Sequence, residues 1–205
     1  MIDLYTWGTP NGRKVSIMLE ATALPYRVHP INILAGDQFK PDFLAISPNN
    51  KIPAITDHEG PGGKAIQLFE SGAILLYLAE KTGNFIPTDS VKRLECLQWL
   101  MWQIGGFGPM LGQAHHFNRF ANEKIPYAIN RYSEESQRLW GVLNNQLDGH
   151  AFIVDLDLSI ADFAIYPWAC RYEWQEIELE AFPNVKGWME RMANIEFVQR
   201  GMAVP

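Results

Sequence analysis

Along the first 83 residues the hydrophobic period switches between two and 3.6 residues, and after Asn84 it stays helical. That switch limits the chain to a small mixed α/β unit followed by helices. Ile2 to Thr6 alternates apolar and polar as a strand does, and Trp7-Gly8 breaks it. Thr9-Pro10 has the form of a helix cap followed by proline in the first turn. The helix that follows, to about Ala23, carries Val15, Met18 and Leu19 on one face, with Lys14 and Glu20 off it. Leu24-Pro25 ends this helix, and Tyr26 to Ile33 reads as a second strand that Pro30 confines partly to an edge. The two strands flank a helix, so they should run parallel with a right-handed crossover. Residues 35–48 read as loop, with a short helix around Asp42 to Ile46. Ile52 to Thr56 is a strand entered through Pro53, Glu59-Gly60-Pro61-Gly62-Gly63 a turn, and Ala65 to Phe69 the returning strand. Ser71 stands at a helix cap, Ile74, Leu75 and Leu78 follow at core spacing, and Gly83 suits the C-terminal stop. The order β-α-β-α-β-β-α predicts a four-stranded mixed sheet flanked by helices.

Residues 84–90 read as a linker, and 91–205 as an all-helical domain. A Trp- and Leu-rich helix runs from Val91 to about Ile104. Gly105, Gly106, Gly108 and Pro109 should loosen or kink it before it resumes to about Phe120. Further helices are expected from Pro126 to Asp148, Ser159 to about Tyr172 and Pro183 to Asn194. Ser159-Ile160-Ala161-Asp162 has the spacing of a capping box, with Leu158 and Phe163 placed as a hydrophobic staple. The apolar run Ala161, Phe163, Ala164, Ile165 marks this helix as the centre of the second core. The chain stops soon after Met202, so a tail covering a site is expected to be absent or short.

Charge and composition exclude several classes. With 23 acidic residues against 17 Lys and Arg, the chain is a poor candidate for general binding to nucleic acid or an anionic membrane. The N-terminus has no basic stretch followed by a long apolar run, and no segment reads as a membrane span. Cys96 and Cys170 form no C-x-x-C pair and no metal pattern, which favours a reducing, cytoplasmic setting. His115 and His116 are consecutive and so face different sides of a helix; no metal site is expected. The Trp residues read as core or subunit interface.

Two places can carry chemistry. Pro53 follows Ile52 at the mouth of a strand, and X-Pro is the peptide bond that readily adopts the cis form. There it would leave the Ile52 backbone free to pair with an extended peptide, beside Glu70, Ser71 and the N–H groups of a helix start. An ordinary hairpin followed by a capped helix fits the same residues. The second place is the start of the first helix, where the element order is that of the thioredoxin fold. The helix dipole there favours thiolate over thiol. This chain has Thr9-Pro10-Asn11-Gly12 at that position and no cysteine. A thiol used there must come from a ligand, with Thr9 and Asn11 able to donate hydrogen bonds to its sulfur.

Both domains resemble the glutathione transferase superfamily. Thr9 to Lys14, Ser47 to Ile55, Phe69 to Leu78, Gly108 to Gln113 and Pro126 to Tyr132 are similar to its bacterial nu-class, over nearly the whole chain. The resemblance implies a thioredoxin-like domain followed by a helical bundle, and a homodimer. It implies glutathione as cosubstrate, one or two molecules or the disulfide per site. The peptide would pair with Ile52 beside cis-Pro53. Glu70 and Ser71 would hold its γ-glutamyl end, Gln38 and Lys51 its glycyl end, and Thr9 and Asn11 would face its sulfur. Arg131 matches the residue that reaches toward a second glutathione. The implied activity is glutathione-dependent reduction of small disulfides, with conjugation to electrophiles or a non-catalytic regulatory role as alternatives. Residues 148–155 depart from the superfamily, lacking the Trp- and Gly-containing stretch usual before the capping box.

Overall fold

Ile2, Leu4 and Thr6 alternate with Asp3 and Tyr5 along β1 (Ile2–Thr6), and the first three are the buried set. The structure, a computed structural model, describes all 205 residues. β1 is central, with β2 (Tyr26–Pro30) parallel on one side and β3 (Ala54–Asp57) antiparallel on the other. β4 (Ile66–Phe69) pairs antiparallel with β3, completing a mixed sheet in the order β2-β1-β3-β4. This is the expected thioredoxin-like arrangement. β3 begins two residues later than expected, after Pro53, which has no N–H for the ladder. β2 likewise ends at Pro30, three residues early.

Helix α1 (Pro10–Thr22) and helix α3 (Ser71–Thr82) pack against each other in this unit. Gly83 closes α3 at φ 68°, the left-handed conformation expected of it. The short helix of the intervening loop, α2 (Pro41–Leu44), opens on a proline one residue before its expected start. Asp3 ties the sheet together at its surface. Its carboxylate accepts from His29 Nε2 on β2 at 2.8 Å and from His58 Nε2, just after β3, at 2.7 Å.

The chain divides into two compact units, Met1–Ile86 with Ile195–Pro205, and Pro87–Asn194. The C-terminal segment therefore belongs to the first unit, and the expected helical domain of 91–205 ends eleven residues sooner. Helix α9 (Glu196–Ala203) is the reason. Gly201 lies so close to Ile17 of α1 that a side chain there would overlap the Ile17 backbone. Ser16 Oγ donates to the Gly201 carbonyl at 2.6 Å, and Arg200 Nε bonds Glu20 at 2.7 Å.

In the second unit α4 (Ser90–Trp102) passes through a π-helical turn, Gln103–Phe107, into α5 (Gly108–His115). A second π turn, His116–Phe120, follows. The expected loosening at Gly105-Gly106 is thus a wider, underwound turn of continuous helix rather than a break. Helices α6 (Pro126–Gln146), α7 (Ile160–Ala169) and α8 (Pro183–Ala193) complete the unit. Every residue of α7 is buried, as its apolar run predicts. The capping box is present, and Asp162 does more than cap. Its carboxylate accepts from Ser159 N at 2.9 Å, Ile153 N at 3.0 Å and Trp188 Nε1 of α8 at 2.9 Å. The unusual 148–155 loop thus still delivers the Ile153 amide to the helix it precedes. Burial pushes the Asp162 carboxyl above the usual range, against the opposing pull of these bonds.

Ser159→Ala should lower stability by about 1 kcal/mol, and Asp162→Ala by about 3 kcal/mol or more, because it strands several buried donors. Urea unfolding of both variants measures the difference. At Asp3 the hydrogen bonds from His58 and His29 hold the carboxyl below its ordinary value. A depressed acid contributes stability above its unfolded pKa and loses it as pH falls through the folded value. Asp3→Asn should therefore lose stability at pH 7 and show a flatter acid limb below about pH 4 in a pH series of unfolding curves.

Candidate functional site

The register of the sheet fixes where the site residues meet. Tyr5 near the end of β1 is opposite Ala54 at the start of β3, and Ala54 is opposite Phe69 at the end of β4. On the other flank Thr6 is opposite Pro30, the end of β2. Four segments therefore enter or leave the sheet at the same end. They contain Thr9 and Asn11, then Gln38, then Lys51-Ile52-Pro53, then Glu70-Ser71. Two helices, α1 and α3, also begin there and present uncompensated N–H groups and positive dipole ends. In open α/β sheets ligands bind beyond such strand ends.

Thr9 caps α1. Its backbone is extended (φ −112°, ψ 160°) and its Oγ1 accepts from Gly12 N at 3.2 Å. The Thr9 hydroxyl keeps its own proton to give. Gly12 is required sterically: a Cβ there would overlap Thr6 Oγ1 and the Trp7 carbonyl oxygen, because the first turn of α1 presses on the strand that feeds it. Asn11 occupies the same turn and is half-buried.

The Ile52-Pro53 bond is cis, as the sequence suggested. Pro53 is buried, and Ile52 precedes the first ladder pair of β3. Lys51 is exposed, and its carbonyl accepts from Ser47 Oγ at 2.8 Å. Gln38 lies in a 3-10 turn, Asp37–Phe39. Its Nε2 donates to the Ile33 carbonyl at 3.3 Å, while its Oε1 is buried without a partner.

Glu70 is the cap position of α3 and stands at φ 72°, ψ 112°, unusual for a residue with a side chain. Its carbonyl starts the helix by accepting from Ile74 N at 2.9 Å, and its side chain makes no capping bond and is exposed. Ser71 is buried, and its Oγ accepts from Lys14 Nζ at 3.3 Å. Lys14 is the residue that sequence reasoning misplaced. Instead of lying off the apolar face, it is 1% exposed inside the unit. Burial lowers its pKa to about 7, against the opposing charge of Glu70. The signal was available: position 14 precedes Met18 by one helical turn, on the face already assigned to the core.

Arg131 is exposed on α6 in the second unit. Cys96 is buried there and burial raises its thiol pKa; Cys170 is also in that unit. No group of three or more His, Cys, Asp or Glu is arranged to hold a metal ion, and no helix is long and apolar enough to cross a membrane.

Two family models match, the N-terminal domain of glutathione S-transferase over residues 9–81 and its C-terminal domain over 110–196. The disulfide-bond oxidoreductase YfcG of Escherichia coli K12 is 53% identical over 193 residues, 94% of this chain and 90% of that protein. The chain belongs to the glutathione S-transferase family. A Pseudomonas fluorescens family member solved with two glutathione molecules superposes with a TM-score of 0.96 at 44% identity, covering 100% of this chain and 93% of that one. A glutathione transferase from Pseudomonas putida, solved with one glutathione disulfide per subunit, gives a TM-score of 0.96 at 43% identity, covering 100% and 91%.

A left-handed φ at a non-glycine residue costs about 1–3 kcal/mol. Glu70→Gly should therefore raise stability, by about 1 kcal/mol after the added freedom of glycine in the unfolded chain is subtracted. Thermal and urea unfolding test this; a fall in stability would show that Glu70 is held by contacts worth more than its backbone costs.

Proposed function

We propose that the protein is a glutathione-dependent disulfide oxidoreductase of the nu-class, active as a cytoplasmic homodimer. What carries the reading is a ligand-ready sheet end that contains no cysteine, in a chain 53% identical to a disulfide-bond oxidoreductase. The protein has the helix N-terminus that stabilises a thiolate but supplies no thiol to it, so the sulfur is that of glutathione.

Glutathione lies extended beside cis-Pro53 and pairs with the backbone of Ile52. Glu70 and Ser71 hold the γ-glutamyl end. Gln38 and Lys51 serve the glycyl carboxylate, and the unpartnered Gln38 Oε1 supports a side chain that reorients on binding. Thr9 and Asn11 donate to the sulfur, and the positive end of α1 favours its ionised form. Arg131 offers a bidentate fork to the carboxylate of a second glutathione. Support for a homodimer comes from α4, where Val91, Leu94 and Met101 stand exposed on one face.

The reaction is two exchanges. The bound glutathione thiolate attacks one sulfur of the substrate disulfide, forming a mixed disulfide and expelling a substrate thiolate. A second glutathione thiolate attacks the glutathione sulfur of that mixed disulfide, giving glutathione disulfide and the second substrate thiolate. Two electrons pass from two glutathione molecules to the substrate, and no protein sulfur is oxidised. Conjugation to an electrophile is the second reading, favoured by the transferase names of the structural neighbours.

The two are separated by assaying one preparation for reduction of a small disulfide, with glutathione disulfide as product, and for conjugation of an aromatic electrophile. Reduction should exceed conjugation by at least an order of magnitude, as it must if catalysis is built for exchange. The reverse ratio overturns the assignment. Asn11→Ala should lower kcat about 10²-fold with KM for glutathione within a few-fold of wild type. Weaker binding at unchanged kcat would remove Asn11 from the chemistry.

A further inference from the structure

The interior of the first unit holds a charge that the proposed reaction does not use. Lys14 is on α1, one helical turn below the Thr9–Asn11 corner, and its side chain runs through the core to the head of α3. There its Nζ bonds Ser71 Oγ at 3.3 Å. A buried ammonium at a helix N-terminus is unfavourably placed, since the dipole end carries about half a positive charge of its own. The Ser71 hydroxyl, taking a hydrogen bond from Lys14, must turn its proton elsewhere. Lys14, the Ser71 hydroxyl and the α3 amides thus form one electropositive floor, in a region where low dielectric strengthens each of them. Such a floor is complementary to an anion seated against Ser71. Glu70, whose charge acts on Lys14, is exposed at the rim and available for a cationic partner group.

We propose that Lys14 is a positioning residue that selects the α-carboxylate of the γ-glutamyl group, polarising and aiming the Ser71 hydroxyl from beneath. The inference rests on the glutathione reading above. A γ-glutamyl α-carbon carries one carboxylate and one ammonium, and the site offers each an opposite partner. The carboxylate goes to Ser71 and the α3 amides over Lys14, and the ammonium goes to Glu70. The fall of the Lys14 pKa to about 7 agrees with a site that becomes charge-matched only when the carboxylate arrives.

The test compares S-methylglutathione with its analogue in which the γ-glutamyl α-carboxylate is a carboxamide. Binding of each to wild type, Lys14→Met and Lys14→Arg is measured by calorimetry, with thermal unfolding alongside. Wild type should prefer the carboxylate by at least tenfold. Lys14→Met should lose most of that preference while keeping its melting temperature, and Lys14→Arg should keep it. An unchanged preference in Lys14→Met overturns the proposal. So does a loss of affinity for both ligands alike, which is what mere structural damage produces. Should the variants not fold, wild type alone decides: the preference must shrink between pH 6 and 9 as Lys14 loses its proton, and a flat ratio overturns the proposal. The ligand amine titrates lower beside the carboxamide than beside the carboxylate, so each affinity is first corrected for the ionisation of that compound's own amine, measured in the free ligand. If wild type binds neither compound, it is the glutathione reading that fails.

Discussion

The pairing of Tyr5 with Ala54, and of Ala54 with Phe69, is the constraint on which the rest depends. It brings the exit of β1, the entrance of β3 and the exit of β4 to one end of the sheet. A slip of one residue in β3 would turn its side chains to the other face and move Pro53 out of line with the head of α1. All four residues of β3 are buried, so both of its faces are covered and the slip would misfit the packing on each, exchanging Ala54 and Thr56 with Ile55 and Asp57. The site is therefore held by the hydrophobic core of the sheet and not by contacts among the site residues themselves. Asp3 adds a surface clamp by joining segments from the strands on both sides of β1.

Much of this was legible in the sequence because its signals are local. Period-two alternation marked β1, prolines and glycines marked ends, and Ser159 to Asp162 marked the start of α7. Pro53 and Glu70-Ser71 could be suspected from residue chemistry, and the family resemblance joined them. What escaped depends on distant partners. Lys14 reads as a polar residue until α3 is packed on α1 and supplies Ser71. Glu196 to Ala203 reads as part of the helical domain until Gly201 meets Ile17. The underwound π turns at 103–107 and 116–120 contain glycine only in the first case, so no single residue type announces them. The bond from the Gln38 amide to the Ile33 carbonyl likewise has no signal until the loop that holds both is folded.

The second unit shows the opposite economy. Its one fully buried carboxylate, Asp162, is surrounded by donors from its own cap, the preceding loop and α8. Each donor would otherwise be stranded, so the charge organises its neighbours and has no need of a ligand. Cys96, beside this network, has a thiol pushed up by burial and is a packing residue rather than a nucleophile.

At the head of α3 the local rules are broken twice within two residues. Glu70 carries a side chain where glycine would be relaxed, and Ser71 stands over a buried ammonium at the positive end of a helix. Neither choice favours the folded protein by itself. Both make sense if that turn is shaped for a group with a cation on one side and an anion on the other. Strain at Glu70 sets its carboxylate at the rim, and Lys14 keeps the floor positive while remaining inaccessible to solvent anions. A zwitterionic amino-acid end satisfies both departures at once, whereas a simple anion satisfies only the second. The concentration of unfavourable terms at this turn thus points to selection among ligands rather than to stability.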